Sequence, residues 1–200
     1  MSSQTNTHSL LASNVIDAIR TRRTVREFTG EPVPRDVIET MLEAARWAPN
    51  HRQTEPWRFF VLEKDGETRR QVAQLIADWT FENVKNPTPE RRIQSAEQAR
   101  TEILESPAFM YVYAVPGPNE EVTRENYAAT CCAVQNMSLA AHALGVAVGW
   151  STGKPVKPEN LAEMLGADPS WDVVGALYIG YPSQEPSAHR KPVEDVTTWL

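Results

Sequence analysis

Cysteine is nearly absent from this 200-residue chain: there are two, Cys131 and Cys132, side by side. Neighbouring cysteines rarely bond to each other, and neither C-x-x-C nor a Cys/His ligand spacing occurs. The sequence therefore offers no disulfide framework and no metal site. It needs neither, because a chain of this size buries roughly 70% of its unfolded surface. Glycine is sparse at nine residues, and no G-x-G-x-x-G turn exists to support a Rossmann site. GVAVGWSTGKP falls short of a phosphate-binding P-loop, with one residue too few before its Gly-Lys pair and Pro155 where Ser or Thr is required. No H-E-x-x-H helix occurs, and no spacing of Ser, His and Asp marks a triad, so a hydrolase lacks support. Long hydrophobic runs are missing too: nothing reaches the ~18 residues of a membrane span. The opening MSSQTNTHSLLA lacks the basic start and apolar core of a signal peptide. The expected location is the cytoplasm, with no membrane partner. Lysine is scarce, five of 20 basic residues, the rest being arginine. Against 26 acidic residues the net charge is −6, which argues against a nucleic-acid partner.

What is present reads as alternating helices and strands. Residues 1–12 form a loose tail. Ser13 or Asn14 caps a helix carrying Val15, Ile16, Ala18 and Ile19. EPVPRDVIETMLEAARWAP is the next helix, with Pro34 in its first turn, a stripe of Val37, Ile38, Met41, Leu42 and Ala45, and Pro49 as its stop. WRFFVLE is a strand. Helices follow at Thr68–Asn83 and Glu90–Glu105, the latter polar enough to lie on the surface. AFMYVYAV is a strand, and Thr123–Leu144 is a long helix. Its centre, AATCCAVQNMSLAAHAL, is small and apolar on all sides, which places it inside a core or between subunits. VAVGW and WDVVGALYIGYP are strands around a short helix at Pro158–Leu165. The last residues, rich in proline, run extended as an arm (183–200). Helices outnumber strands and some strand pairs lack a helical crossover, which predicts an α+β sandwich with a small mixed sheet. Residues 13–200 read as one domain.

Four stretches can carry chemistry. Arg20, Arg22, Arg23, Thr24 and Arg26 crowd four guanidinium groups into seven positions. Such density suits a phosphate monoester, or equally the negative end of a helix dipole. RWAPNHRQTEPWRFF holds a polar loop, with His51, Arg52, Gln53 and Thr54 able to border a planar, polar-edged ligand. If the stretch is an ordinary connection instead, Trp47 and Trp57 are its core anchors, and for Trp57 that is the favoured reading. GVAVGWSTG brings glycines to a strand end, where backbone can approach a ligand closely. His189, Arg190 and Lys191 add a late cationic point.

Taken in order, RTRRTVREFTGEPVP, EAARWAPNHRQTEPWRFFVLE, ENYAATCCAVQNMSLAAHALG, VAVGWSTG, YIGYP and RKPVEDV resemble the FMN-dependent nitroreductase family, and the A-P-N-H…P-W loop resembles its short, YdjA-like subgroup. The resemblance spans about residues 13–198. It implies an α/β/α sandwich that dimerises, with FMN at the interface of the homodimer and the arm crossing to the partner. It implies that Arg22, Arg23 and Thr24 contact the FMN phosphate and ribityl chain. Arg26 reaches the pyrimidine edge, and Arg190 with Lys191 completes the phosphate site. His51 and Gln53 border the ring from the other subunit, and Trp150, Ser151, Thr152 and Gly153 pass its edge near N5. The implied activity is transfer of reducing equivalents from NADH or NADPH to a small-molecule acceptor such as a nitroaromatic, quinone or activated alkene, the flavin doing the redox chemistry. A non-catalytic flavin-binding or sensing protein on the same fold is the alternative. The family's N-x-Q-P-W loop is Gln53-Thr54-Glu55-Pro56-Trp57 here, and Glu55 is expected to turn away and pair with Arg52 or Arg58.

Overall fold

Strand β2 (Ala108–Ala114) sets the architecture. Ala108, Met110, Val112 and Ala114 join one apolar cluster, while Phe109, Tyr111 and Tyr113 join another. From Phe109 to Ala114 no residue is more than 2% exposed. A strand buried on both faces has to lie inside a sheet covered by helices on both sides. The computed structural model, which describes residues 15–85, 87–184 and 186–200, has this form. Strands β1 (Trp57–Leu62), β2, β3 (Ala147–Ser151) and β4 (Asp172–Gly180) lie in the order β1-β2-β4-β3. Every neighbouring pair is antiparallel. The mixed sheet read from the sequence is thus corrected: parallel pairing is confined to one isolated bridge, Thr24 to Val148. Helices nevertheless lie between all successive strands, and the connection from β2 to β3 carries the chain past β4. The β2–β4 register slips between Val112 and Tyr113, leaving Val174 without a partner on β2.

Helices α2 (Arg35–Arg46) and α5 (Glu120–Ala143) cover one face, burying Ile38, Met41, Ala45, Ala133, Val134 and Met137. Helices α3 (Glu67–Asn83), α4 (Pro89–Glu105) and α6 (Leu161–Leu165) cover the other, with Val72, Ile76, Ala99, Ile103 and Leu161. The stripe expected on α2 is the buried one, Val37 and Leu42 flanking it. Pro34 occupies the N-cap position of α2. Trp57 is buried as expected, but Trp47 is 75% exposed, because α2 ends there and turns it outward. Helix α1 (Val15–Thr21) packs beside α5. Its expected cap, Ser13 or Asn14, and the tail 1–12 lie outside the described residues. Past Ser187 the arm is exposed throughout, with a 3-10 turn at Val193–Val196. Among the described residues no helix is long and apolar enough to cross a membrane.

One buried cation ties α3 to the end of α4. Arg69 is 1% exposed. Its Nε and Nη2 donate to the Ile103 carbonyl at 2.9 and 2.5 Å, Nη2 also donates to Ser106 O, and the guanidinium lies 5.8 Å from the Phe109 ring centroid. Lys64 Nζ adds bonds to Leu104 O at 2.6 Å and Ser106 O at 3.0 Å. The last carbonyls of a helix have no partners of their own and carry its negative partial charge, so cations suit them. Burial pushes the Arg69 pKa down to about 10, which leaves it charged at neutral pH. Arg69→Leu strips two buried carbonyls of charge-assisted donors and should cost about 3 kcal/mol. Lys64→Ala, nearer solvent, should cost about 1 kcal/mol. Urea unfolding curves check both, and equal losses would contradict the clamp.

Candidate functional site

The cationic centre is built from two ends of the chain. Arg22 and Arg23 follow α1. Arg23 folds back, its Nη1 donating to Arg20 O at 2.6 Å and Arg22 O at 2.9 Å, and so it satisfies part of the helix's carbonyl end. Arg22 is half-buried and makes no ion pair within the described residues. Its Nε is buried without any hydrogen-bond partner. Burial, then the nearby Arg190 and Arg23 guanidiniums, depress its pKa. The returning arm thus brings a third cation, Arg190, near enough to act on Arg22. A cavity of about 460 Å³ opens here, lined by Arg22, Arg23, His142, Gly145, Gln184 and Ser187 among others. His142 Nε2 lies 2.8 Å from Thr21 Oγ1, whose own hydrogen goes to Asp17 O at 2.6 Å. Nε2 therefore carries a proton and donates. Lys191 is exposed.

From Arg22 the chain runs extended along β3. A Cβ on Gly149 would sit 2.5 Å from Val25 O, so glycine is what lets this segment lie against the strand. Val25 is buried while Thr24 and Arg26 are exposed, which puts Arg22, Thr24 and Arg26 on one side of an extended backbone. Arg26 lines a second cavity of about 820 Å³. Its far wall is α4, through Gln94, Gln98, Thr101 and Glu102. The sequence reading missed these four. Their spacing at i, i+4, i+7 and i+8 makes one helix face, but a polar face reads as solvated until the fold sets something opposite it.

At the end of β3, Trp150 donates from Nε1 to Val174 O at 3.0 Å, which fixes the indole against the sheet. Gly149-Trp150-Ser151-Thr152-Gly153 has the G-x-S-x-G spacing of a nucleophile elbow. That motif requires a serine raised on a sharp strand-to-helix turn, whereas Ser151 is buried within β3. Thr152 and Gly153 are exposed, and a Cβ on Gly153 would meet only Ser151 Oγ at 3.8 Å. The backbone there is open to a flat ligand.

The loop 50–56 is strained and tightly held. Arg52, Gln53 and Glu55 have φ of 66°, 51° and 45°, the left-handed region that non-glycine residues rarely enter. Asn50 supports it: its Oδ1 accepts from Glu55 N at 2.7 Å and its Nδ2 donates to Thr54 Oγ1 at 3.0 Å. Thr54 Oγ1 donates to Asn126 Oδ1 at 2.7 Å, and the buried Asn126 donates to Val115 O. Glu55 does not pair as expected. Arg52 reaches Glu125 at 3.1 Å and Glu121 at 3.5 Å instead, and Arg58 donates to the Glu55 carbonyl rather than to its carboxylate. His51 Nδ1 also faces Glu125, at 3.4 Å.

This loop docks on the first half of α5, at Glu125 and Asn126, while the cationic cavity meets its last turn at His142. Those points are about 25 Å apart along a helix rising about 1.5 Å per residue. The structure therefore brings Arg22, Arg23 and Arg190 together and aligns Thr24 and Arg26 with them, and it sets His51 and Gln53 well away from that cluster in the same chain.

The chain is 32% identical over 193 residues to YfhC of Bacillus subtilis (strain 168), provisionally named an NAD(P)H nitroreductase, covering 96% of this chain and 95% of that protein. Among solved structures, a nitroreductase-like family protein from Bacillus cereus superposes with a TM-score of 0.81 at 29% identity, covering 94% of this chain and 96% of that one. A provisionally named nitroreductase in complex with FMN from Desulfovibrio desulfuricans superposes with a TM-score of 0.71 at 26% identity, over 93% and 96%. The profile of the nitroreductase family matches residues 19–181, and the chain belongs to that family.

Proposed function

We propose that this chain is an FMN-dependent NAD(P)H oxidoreductase that works as a homodimer and reduces nitroaromatics, quinones or activated alkenes. The observation that carries the reading is the buried Nε of Arg22, without a hydrogen-bond partner among the described residues, beside two further guanidiniums. Orphaned buried donors and massed like charge are both costly, and a phosphate monoester of charge near −2 relieves both at once. The donor chemistry fits: guanidinium forks and hydroxyls suit phosphate oxygens.

When bound, FMN supplies two-electron chemistry, taking a hydride equivalent from NAD(P)H and handing it to the acceptor. Everything else is work for the chain. Arg22, Arg23 and Arg190, aided by Lys191, hold the phosphate, and Thr24 offers a hydroxyl to the ribityl chain. Arg26 stands at the pyrimidine end, where negative charge gathers on reduction. Trp150, Ser151, Thr152 and Gly153 line the ring edge with backbone. His51 and Gln53 act on the partner's cofactor, since ~25 Å along α5 separates them from their own chain's phosphate site. Exposed apolar side chains support a second copy: Val15, Ile16 and Ile19 on α1, and Val193, Val196 and Trp199 on the arm. On this reading residues 13–200 are one flavin-binding unit. Donor and acceptor use the same open face in turn, so no side chain need be a catalytic acid in hydride transfer.

Arg22→Ala with Arg190→Ala should weaken FMN by tenfold or more, about 1.5–3 kcal/mol per charge-assisted bond lost, and leave riboflavin nearly unaffected; fluorescence titration with both ligands checks this, and equal losses remove the phosphate role. Stopped-flow mixing of the flavin-loaded protein with NADH or NADPH should bleach the flavin rapidly, and steady-state rates should give parallel double-reciprocal lines. Absence of bleaching with either nucleotide would favour a sensing role. Sedimentation should give a species near twice 22.4 kDa; a monomer that still retains FMN would break the two-chain site.

A further inference from the structure

The cavity between Arg26 and α4 carries opposite charges on its two walls, and they do not meet. Arg26 makes no ion pair within the described residues, and its guanidinium carbon lies 5.9 Å from the Tyr178 ring centroid. The other charged groups at this cavity are Glu27, on the same extended segment, and Glu97, Glu102 and Glu105 on α4. Two of the α4 carboxylates are offset locally: Glu97 pairs with Arg100 at 2.9 Å, and Glu105 acts on Lys64. Glu102 is not. Its carboxylate oxygen Oε1 accepts only the Gln98 amide, from Nε2 at 2.9 Å. That bond orients Gln98 so that its carbonyl oxygen is left over as an acceptor. The buried Tyr178 hydroxyl feels both charges, Glu102 raising its pKa and Arg26 opposing. Both groups therefore act across the same cavity.

We infer that Glu102 is an electrostatic tuning residue of the flavin site, opposing Arg26 across the cavity and holding the bound flavin at a lower reduction potential than the arginine alone would give. The inference rests on the oxidoreductase reading above and deepens it. Uptake of two electrons and one proton gives the ring system one extra negative charge. Arg26 favours that charge and Glu102 disfavours it, while the neutral oxidised ring is far less sensitive to either. A site balanced in this way passes electrons onward rather than storing them. Gln98, its amide committed to Glu102, presents an acceptor suited to a ring N–H at the same edge. Clamping of the α4 terminus by Arg69 and Lys64 keeps this wall in place.

The test is the two-electron midpoint of bound FMN, measured on the flavin-loaded protein with a chemical reductant and a reference dye. Glu102→Gln keeps the shape and the bond from Gln98 but removes the charge. It should raise the preference for reduced over oxidised flavin about tenfold, read as a positive shift of about 30 mV. Glu102→Asp should restore most of the original value, and Arg26→Gln should shift the midpoint downward. Glu90→Gln, on α4 but away from the cavity, should leave it unchanged. An unmoved or lowered midpoint in Glu102→Gln overturns the tuning role, as does an equal shift in Glu90→Gln, which would make the effect one of net charge. If wild-type protein holds no FMN at all, the oxidoreductase reading falls and this inference with it.

Discussion

Like charges held close together are the constraint around which this molecule is arranged. Arg22 sits partly buried beside Arg23 and Arg190, with its Nε unsatisfied and no ion pair within the described residues. Among those residues nothing rewards the arrangement, because each guanidinium destabilises the next. Surface arginines elsewhere in the same protein behave differently: Arg35, Arg46, Arg70, Arg100 and Arg124 each find a glutamate three or four positions away. The contrast sets the cluster apart from the rest of an arginine-rich composition.

The scaffold exists to hold that cluster in line with the rest of the site. Gly149 lets residues 24–26 lie on β3, so the spacing from Arg22 to Arg26 becomes a straight row along one edge of the sheet. Helix α4 supplies the facing wall, and its position depends on a buried arginine that bonds to carbonyls instead of a carboxylate. Stability and function meet at that point: the same contacts that close the end of α4 fix the distance across the cavity. Three left-handed residues in the loop before β1 show the same economy, since only the bonds among Asn50, Thr54 and Asn126 make such a backbone tolerable.

Helix α5 sets the spacing behind the proposal of a two-chain site. Its early turns carry the loop and its last turn borders the cationic cavity, so its length holds those two parts of one chain apart. The exposed apolar residues of α1 and of the arm are the surfaces that the proposed dimer would cover.

Much of this was legible in the residues. The element order, the buried stripe of α2, the two-sided burial of β2 and the arginine cluster follow from periodicity and local charge, which act over a few positions and need no partner. The flavin-site candidates Arg22, Arg23, Thr24, Arg26 and Arg190 were legible only through family likeness, and the mixed sheet and the Glu55 ion pair were misread. What escaped was whatever depends on elements distant in sequence. Pairing direction is set by how strands meet, the backbone of the Glu55 loop by the bonds from Asn50, Thr54 and Asn126, and the surroundings of Gln98 and Glu102 by the wall they face. A polar helix face has the same pattern whether it looks at water or at a cavity. Sequence alone determined which surfaces could be apolar and where cations concentrate; only tertiary structure decided which polar face is functional, because that depends on what the fold sets across from it.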